Sequence, residues 1–409
     1  MNTGVPAGTA AVRSPLTERR MLVLAAVFAA LEGYDLACYG ATVPSLLADH
    51  TLAATKASAG TVGSLVAVGM MIGAGLAGAL VNRFGSRRLL LAGSAAFSAG
   101  MLACALVPSF TAFGAARLLV GVGLGAVLPT LTAYVAELSD PDRRSRNIGL
   151  MMTGYAAGAL AAPILGTVLL PVASWRWIYV IGTVPALALL PIAARHLPRT
   201  TAARPGSRPA RELFGLRPLL SRGVLAATLL FWVMSFCGLL LVFAISTWLP
   251  TIMQANGYSL GSSLLQTAVM WVGAGAGMIA GGRIGDKVGI KPVVVAAFLA
   301  GSLSLLAMSL RPQLGLLFLL MFASGLGFIG SQVLTNAFVV TRYPDELRGP
   351  GIGWALSIGR LGAIAGPTLG GLILSSQLDA RWNFYLFAIP GIVGALLAAC
   401  VPVVRQRTR

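Results

Sequence analysis

The chain has 409 residues, 57% of them hydrophobic and only 10% charged. Repeated apolar runs of about 20 residues exclude a soluble domain, whose elements need polar faces, and indicate a helical integral membrane protein. The net charge of +18 does not indicate nucleic-acid binding, because the cations lie in short segments between the apolar runs without interleaved aromatics.

Residues 1–20 read as a cytoplasmic N-terminal tail. The apolar run that follows is too long for a removable signal and lacks a small-residue cleavage pattern. Twelve spans are predicted near 21–48, 58–81, 89–108, 112–136, 147–171, 177–195, 223–250, 263–285, 292–310, 314–341, 351–375 and 384–404. Span 1 holds Glu32 and Asp35, one helical turn apart in an otherwise apolar segment. A carboxylate in hydrocarbon is expensive, so this pair points to proton or ion handling with a cation nearby. The plainer reading is an acid that only locks two helices together.

Arg117 in span 4 and Arg360 in span 11 are the cations that fall inside spans. The others segregate by side. Arg83, Arg87 and Arg88 follow span 2, Arg143, Arg144 and Arg146 follow span 4, and Arg283, Lys287 and Lys291 surround the end of span 8, all on the side of the termini. Lys56, Arg176, Arg311 and Arg381 take the other side. Such a bias predicts cytoplasmic termini. Between the sixth and seventh spans, Pro198, Pro205, Gly206 and Pro209 mark a cytoplasmic linker over 197–222, within which Ala210–Leu220 is expected as a short amphipathic surface helix. The expected organisation is a six-helix bundle over 21–196, the linker, a second bundle over 223–404 and a tail over 405–409.

Cys38, Cys104, Cys237 and Cys400 lie in apolar runs and read as small core residues. His50 and His196 are isolated near span ends. No metal or cofactor is implied, no catalytic set appears in the spans, and a monomer is expected.

The two bundles are copies. At an offset of 204 residues Gly78, Arg83, Gly85 and Arg87 fall on Gly282, Lys287, Gly289 and Lys291. Further on, Gly123, Arg144, Gly149, Gly158, Pro163 and Gly166 fall on Gly327, Arg348, Gly353, Gly362, Pro367 and Gly370. Parallel repeats of this kind are a transporter signature, with the substrate site between the halves.

The run from Gly78 through Asn82, Arg83, Gly85 and Arg87 to Arg88 resembles the loop 2–3 signature of the major facilitator superfamily, echoed by Gly282 to Lys291. Arg117, Gly121 and Gly123 resemble its span 4 motif. Glu32-Gly33-Tyr34-Asp35 is similar to the acidic span 1 motif of its aromatic acid/proton symporters, and Trp248-Leu249-Pro250 with Gly353 to Pro367 extend the likeness. Two positions depart from the family pattern. Glu32 stands where the family usually has Asp, and Asn82 replaces an acid that Asp286 keeps in the second half.

The resemblance implies a twelve-helix major facilitator fold in the inner membrane of a bacterium and proton-coupled uptake of small aromatic carboxylates such as hydroxybenzoates. Glu32, Asp35 and Arg117 are the expected proton-coupling residues. Arg360, with Arg117 as the alternative, is the expected carboxylate clamp, because a guanidinium offers a two-pronged donor. Trp232, Phe236 and Phe243 are candidates to flank the ring, and Gln332 and Asn336 to meet its hydroxyls. Asn82, Arg83, Asp286 and Lys287 are the expected gate. The competing reading is a proton-driven exporter of drugs or metabolites, for which the antiporter-like glycine and proline pattern lies on span 11 rather than span 5.

Overall fold

The computed structural model describes residues 15–140, 143–196, 216–221, 223–376 and 378–402. Among these residues twelve helices are long and apolar enough to cross a membrane, and no strand occurs. They are α1 (Pro15–Ala48), α2 (Lys56–Phe84), α3 (Ser86–Leu106), α4 (Phe110–Leu138), α5 (Arg144–Leu169) and α6 (Arg176–His196) in the first half. The second half has α7 (Leu225–Ala255), α8 (Leu260–Val288), α9 (Ile290–Met308), α10 (Leu314–Arg342), α11 (Asp345–Ser375) and α12 (Trp382–Cys400). The twelve-helix fold class expected from the sequence is the observed one.

Several helices outrun their apolar stretches, because the backbone stays helical where side chains turn polar. Residues 15–20 of the expected tail are helical, continuous with the rest of α1. The surface helix expected over 210–220 is described only as the single turn Leu216–Leu219, and the residues before it lie outside the described set. Cys38, Cys104 and Cys237 are buried, as a core reading requires, but Cys400 is exposed. It ends α12 beside the buried Ala398 and Val401, with its own side chain turned outward.

The sequence repeat is also a packing repeat. A Cβ built on Gly123 would come within 2.6 Å of the Gly93 carbonyl oxygen, and one on Gly327 within 2.6 Å of the Ala297 carbonyl oxygen, with all four residues related by the 204-residue offset. Small residues thus let α4 approach α3 in one half and α10 approach α9 in the other. The joints match too. Gly85 (φ 78) closes α2 directly onto α3, and Gly289 (φ 90) closes α8 onto α9, in a region that glycine enters without steric cost.

The halves meet along α1 with α7, α2 with α11 and α5 with α8. These seams are tight toward the face that bears the α1–α2 connection, where Ser64 and Thr368 hydroxyls lie 2.7 Å apart across the α2–α11 seam. Toward the face that bears the α2–α3 joint, here called the basic face, a Cβ on Gly75, Gly78, Gly149 or Gly282 would meet nothing within 4 Å. The seam is thus closed toward the α1–α2 end, here called the closed face. At the closed face Asp49 accepts bonds from the backbone and hydroxyl of Thr51 and from Trp175 Nε1 at 3.0 Å. Hydrogen bonds from Thr51 and Trp175 hold its carboxyl below the usual carboxylate range.

Candidate functional site

The middle of α1 brings both acids to the junction of the two halves. Glu32 and Asp35 are 3% and 0% exposed, and Arg117 on α4 is 2% exposed. Arg117 Nη1 donates to Asp35 Oδ1, an ion pair wholly within the first half. The same guanidinium sits 5.1 Å from the Tyr39 ring centroid, and Tyr39 is itself anchored by donating to the Ala59 carbonyl at 2.6 Å. Charge pairing and ring contact together offset the cost of placing a guanidinium in an apolar interior.

Glu32 is differently placed. It has no ion pair among the described residues, and its Oε2 is buried without a hydrogen-bond partner. Its charged neighbours are Arg360 on α11, across the interface, and Asp35. Arg360 is half-buried, and its Nη1 donates to the Met70 carbonyl of α2 at 3.2 Å, so this side chain also bridges the halves. Asp35 Oδ2 and Arg117 Nε remain buried without partners.

Two acids and two guanidiniums cancel when all four are ionised. Adding one proton to an acid leaves one surplus positive charge, which one carboxylate anion neutralises. Such a set can accept a proton and a monovalent organic anion together while keeping buried charge near zero, the condition that low dielectric imposes.

The other sequence candidates are dispersed. Trp232 packs against Trp354 with centroids 5.9 Å apart in the apolar cluster formed with Leu219, Phe231 and Tyr343, apart from the charged set. Phe243 is buried in the main core, and Phe236 packs against that core from its edge. Gln332 presses on α7, where its Oε1 would lie 2.3 Å from a Cβ on Gly238, and both of its amide atoms lack partners. Asn336 Oδ1 is also buried and unpartnered. Of the expected gate residues, Asn82 is helical but its side chain lies outside the described set. Arg83 is exposed over the Phe84 ring at 5.3 Å. Asp286 and Lys287 are exposed and form no ion pair among the described residues. A cavity of about 790 Å³ opens at the basic face between Val224, Lys291, Arg342 and Pro402 and contains none of these residues.

Sequence reasoning misses two aromatics at the centre, Tyr155 on α5 and Trp271 on α8. Their rings meet across the interface with centroids 6.4 Å apart. The available signal was the repeat, because Tyr155 falls on Gly359 and Trp271 on Ala67.

A sequence model of the Major Facilitator Superfamily matches residues 25–281 and 260–409. The chain is 29% identical to the benzoate transport protein of Acinetobacter baylyi, covering 92% of this chain and 87% of that one. It is 32% identical to the gentisate transporter of Corynebacterium glutamicum, covering 90% and 84%. Among solved structures it superimposes on a D-xylose-proton symporter with a TM-score of 0.77 over 93% of this chain and 97% of that one, at 19% identity, a likeness of fold.

Proposed function

Because this chain belongs to the Major Facilitator Superfamily, and is therefore a multi-pass membrane transporter rather than an enzyme, we propose that it is a proton-coupled symporter taking up small aromatic carboxylates such as hydroxybenzoates. The observation that carries this reading is the balanced charge set of buried Glu32, Asp35 and Arg117 with the half-buried Arg360 reaching across from the other half. The substrates for which its relatives are named, benzoate and gentisate, supply the substrate class.

In this scheme Asp35 carries the proton and Arg117 holds the charge balance of the empty site. When Asp35 takes up a proton, the guanidinium of Arg117 loses its counter-charge, so proton and anion binding favour one another. Glu32 shares or tunes that proton through its position between Asp35 and Arg360. Arg360 grips the substrate carboxylate, exchanging its bond to the Met70 carbonyl for a two-pronged one to the ligand. Phe236 and Phe243 line the ring's path, with Gln332 and Asn336 offering amide groups, and Trp232 contributes nearer the basic face.

The cation bias supports a cytoplasmic basic face, in the inner membrane of a bacterium. Residues 21–196 and 223–404 act as the two rocking units, joined by 197–222. Asn82, Arg83, Asp286 and Lys287 form the inner gate. Exposed acids and cations there would pair when the basic end closes.

The export reading leans on the span 11 glycine pattern, but Gly362 and Gly366 sit against the Phe236 and Leu240 carbonyls of α7 within one half. Close helix packing accounts for them. The test is accumulation of labelled benzoate, hydroxybenzoates and aliphatic acids in energised vesicles, with and without an uncoupler. Uncoupler-sensitive accumulation of aromatic acids is expected. Accumulation unaffected by the uncoupler, or confined to aliphatic acids, would contradict the proposal.

A further inference from the structure

Trp271 is 1% exposed, yet its indole Nε1 has no hydrogen-bond partner. The other deeply buried tryptophans, Trp175 and Trp248, donate to Asp49 Oδ2 at 3.0 Å and to the Pro367 carbonyl at 2.7 Å. An unpaired N–H in an apolar interior is destabilising, so the group calls for an explanation. Trp271 also stands at an interface that must separate and re-form during transport, because its ring meets Tyr155 of the other half in an edge-to-face arrangement with planes at 66°.

Tyr155 is fixed beside the acids by backbone geometry. Its carbonyl oxygen would lie 1.9 Å from a Cβ on Gly33, the residue after Glu32, so α5 and α1 touch at that level. Counted from the closed-face ends of their helices at a rise of about 1.5 Å per residue, Glu32, Tyr155, Trp271 and Arg360 all lie about 17 to 24 Å deep. Neither aromatic has an aromatic counterpart in the repeat, just as Glu32 and Arg360 have no charged one. These four departures from the repeat thus lie within about 7 Å of one another in depth, on both sides of the seam.

We propose that Trp271 is a specificity-determining residue: its Nε1–H donates to a hydroxyl on the substrate ring, while Tyr155 covers the ring from the opposite half. This inference rests on the proposed transport of aromatic carboxylates and deepens it, selecting ring-hydroxylated acids over unsubstituted ones. With Arg360 on the carboxylate and Trp271 on a ring oxygen, the substrate is held at both ends. A site built around a donor discriminates against a ligand without the matching acceptor, because the donor then stays buried and unpaired.

The experiment is competitive uptake of labelled 4-hydroxybenzoate and benzoate into energised vesicles, by the wild type and by Trp271→Phe, which keeps an apolar ring and deletes the N–H. The wild type should prefer 4-hydroxybenzoate. In Trp271→Phe the half-saturation concentration for 4-hydroxybenzoate should rise about tenfold, with that for benzoate changing less than about twofold. A wild type that takes up both acids without preference, or prefers benzoate, overturns the inference while leaving the transport proposal standing, and does so even if the variant fails to fold. Equal changes for both acids in the variant overturn it as well, assigning Trp271 to packing. A wild type that accumulates neither acid overturns the transport proposal and this inference together.

Discussion

The two halves of this protein share a scaffold and differ in chemistry. Where Gly123 lets α4 ride on α3, Gly327 does the same for α10 on α9, with the same 2.6 Å approach. Yet Glu32, Asp35 and Arg117 are replaced at the matching positions by Phe236, Leu239 and Met321, and Arg360 by Ala156 in the other direction. Several positions that pack backbone against backbone, among them Gly69, Gly73, Gly121 and Gly123, are glycine in both copies, because their helices must approach closely in either half. Charges have been kept where a counter-charge lies within reach, Arg117 for Asp35 in the same half and Arg360 for Glu32 across the seam. The first half thus carries a completed ion pair of its own, and the second contributes a single guanidinium whose charged partner belongs to the other half.

Exchanging residues between the copies should break this division most sharply. Arg117→Met, which installs the second half's residue, strands Asp35 in the core and should destabilise the protein by about 3–5 kcal/mol, measured by thermal unfolding of detergent-purified protein. Adding Asp35→Leu removes the stranded charge and should recover most of that stability while leaving accumulation abolished. If the double variant is no more stable than Arg117→Met alone, the pair is not an isolated electrostatic unit.

Arg360 should show a smaller effect confined to function. Arg360→Ala should raise the half-saturation concentration for aromatic acids tenfold or more, corresponding to the loss of about 1.5–3 kcal/mol for a charged hydrogen bond. Arg360→Lys keeps the charge but loses the fork, so uptake should still fall sharply. Amide analogues that bind should be nearly indifferent to both substitutions, and equal losses for acid and amide would make Arg360 a packing residue and shift the clamp to Arg117.

The gate offers the mildest comparison, because the first half has Asn82 where the second keeps Asp286. Asn82→Asp should favour closure of the basic face by about 1 kcal/mol if the new pair is partly exposed. Labelling rates of single cysteines introduced on each face would report the shift. Unchanged rates would separate this position from gating.

Much of this was legible in the sequence. Span number and order follow from apolar length, and the acids on α1 stand out because charge is so rare in hydrocarbon. Glu32, Asp35 and Arg117 are grouped by the sequence as proton-coupling residues, and the structure pairs Arg117 with Asp35 inside one half. Sequence spacing cannot tell which of two nearby acids a guanidinium will face. Trp232, one helical turn before Phe236 on α7, packs against Trp354, a contact that no pattern in the sequence announces. Tyr155 and Trp271 were passed over because an aromatic in a hydrophobic span carries no signal of its own. Only the repeat, which puts glycine and alanine opposite them, or the packing of α5 on α8 distinguishes them from ordinary core.

The central claim is that a proton on the α1 acids drives anion accumulation. Its most direct measurement compares two assays on Asp35→Asn in one preparation of vesicles: accumulation of a labelled hydroxybenzoate under a proton gradient, and exchange of labelled for unlabelled acid across preloaded membranes. Coupling through Asp35 predicts that accumulation is abolished while much of the exchange survives, since exchange need not release the proton, and Glu32→Asp should be milder than Glu32→Gln in the same test. Full accumulation by Asp35→Asn would contradict the account.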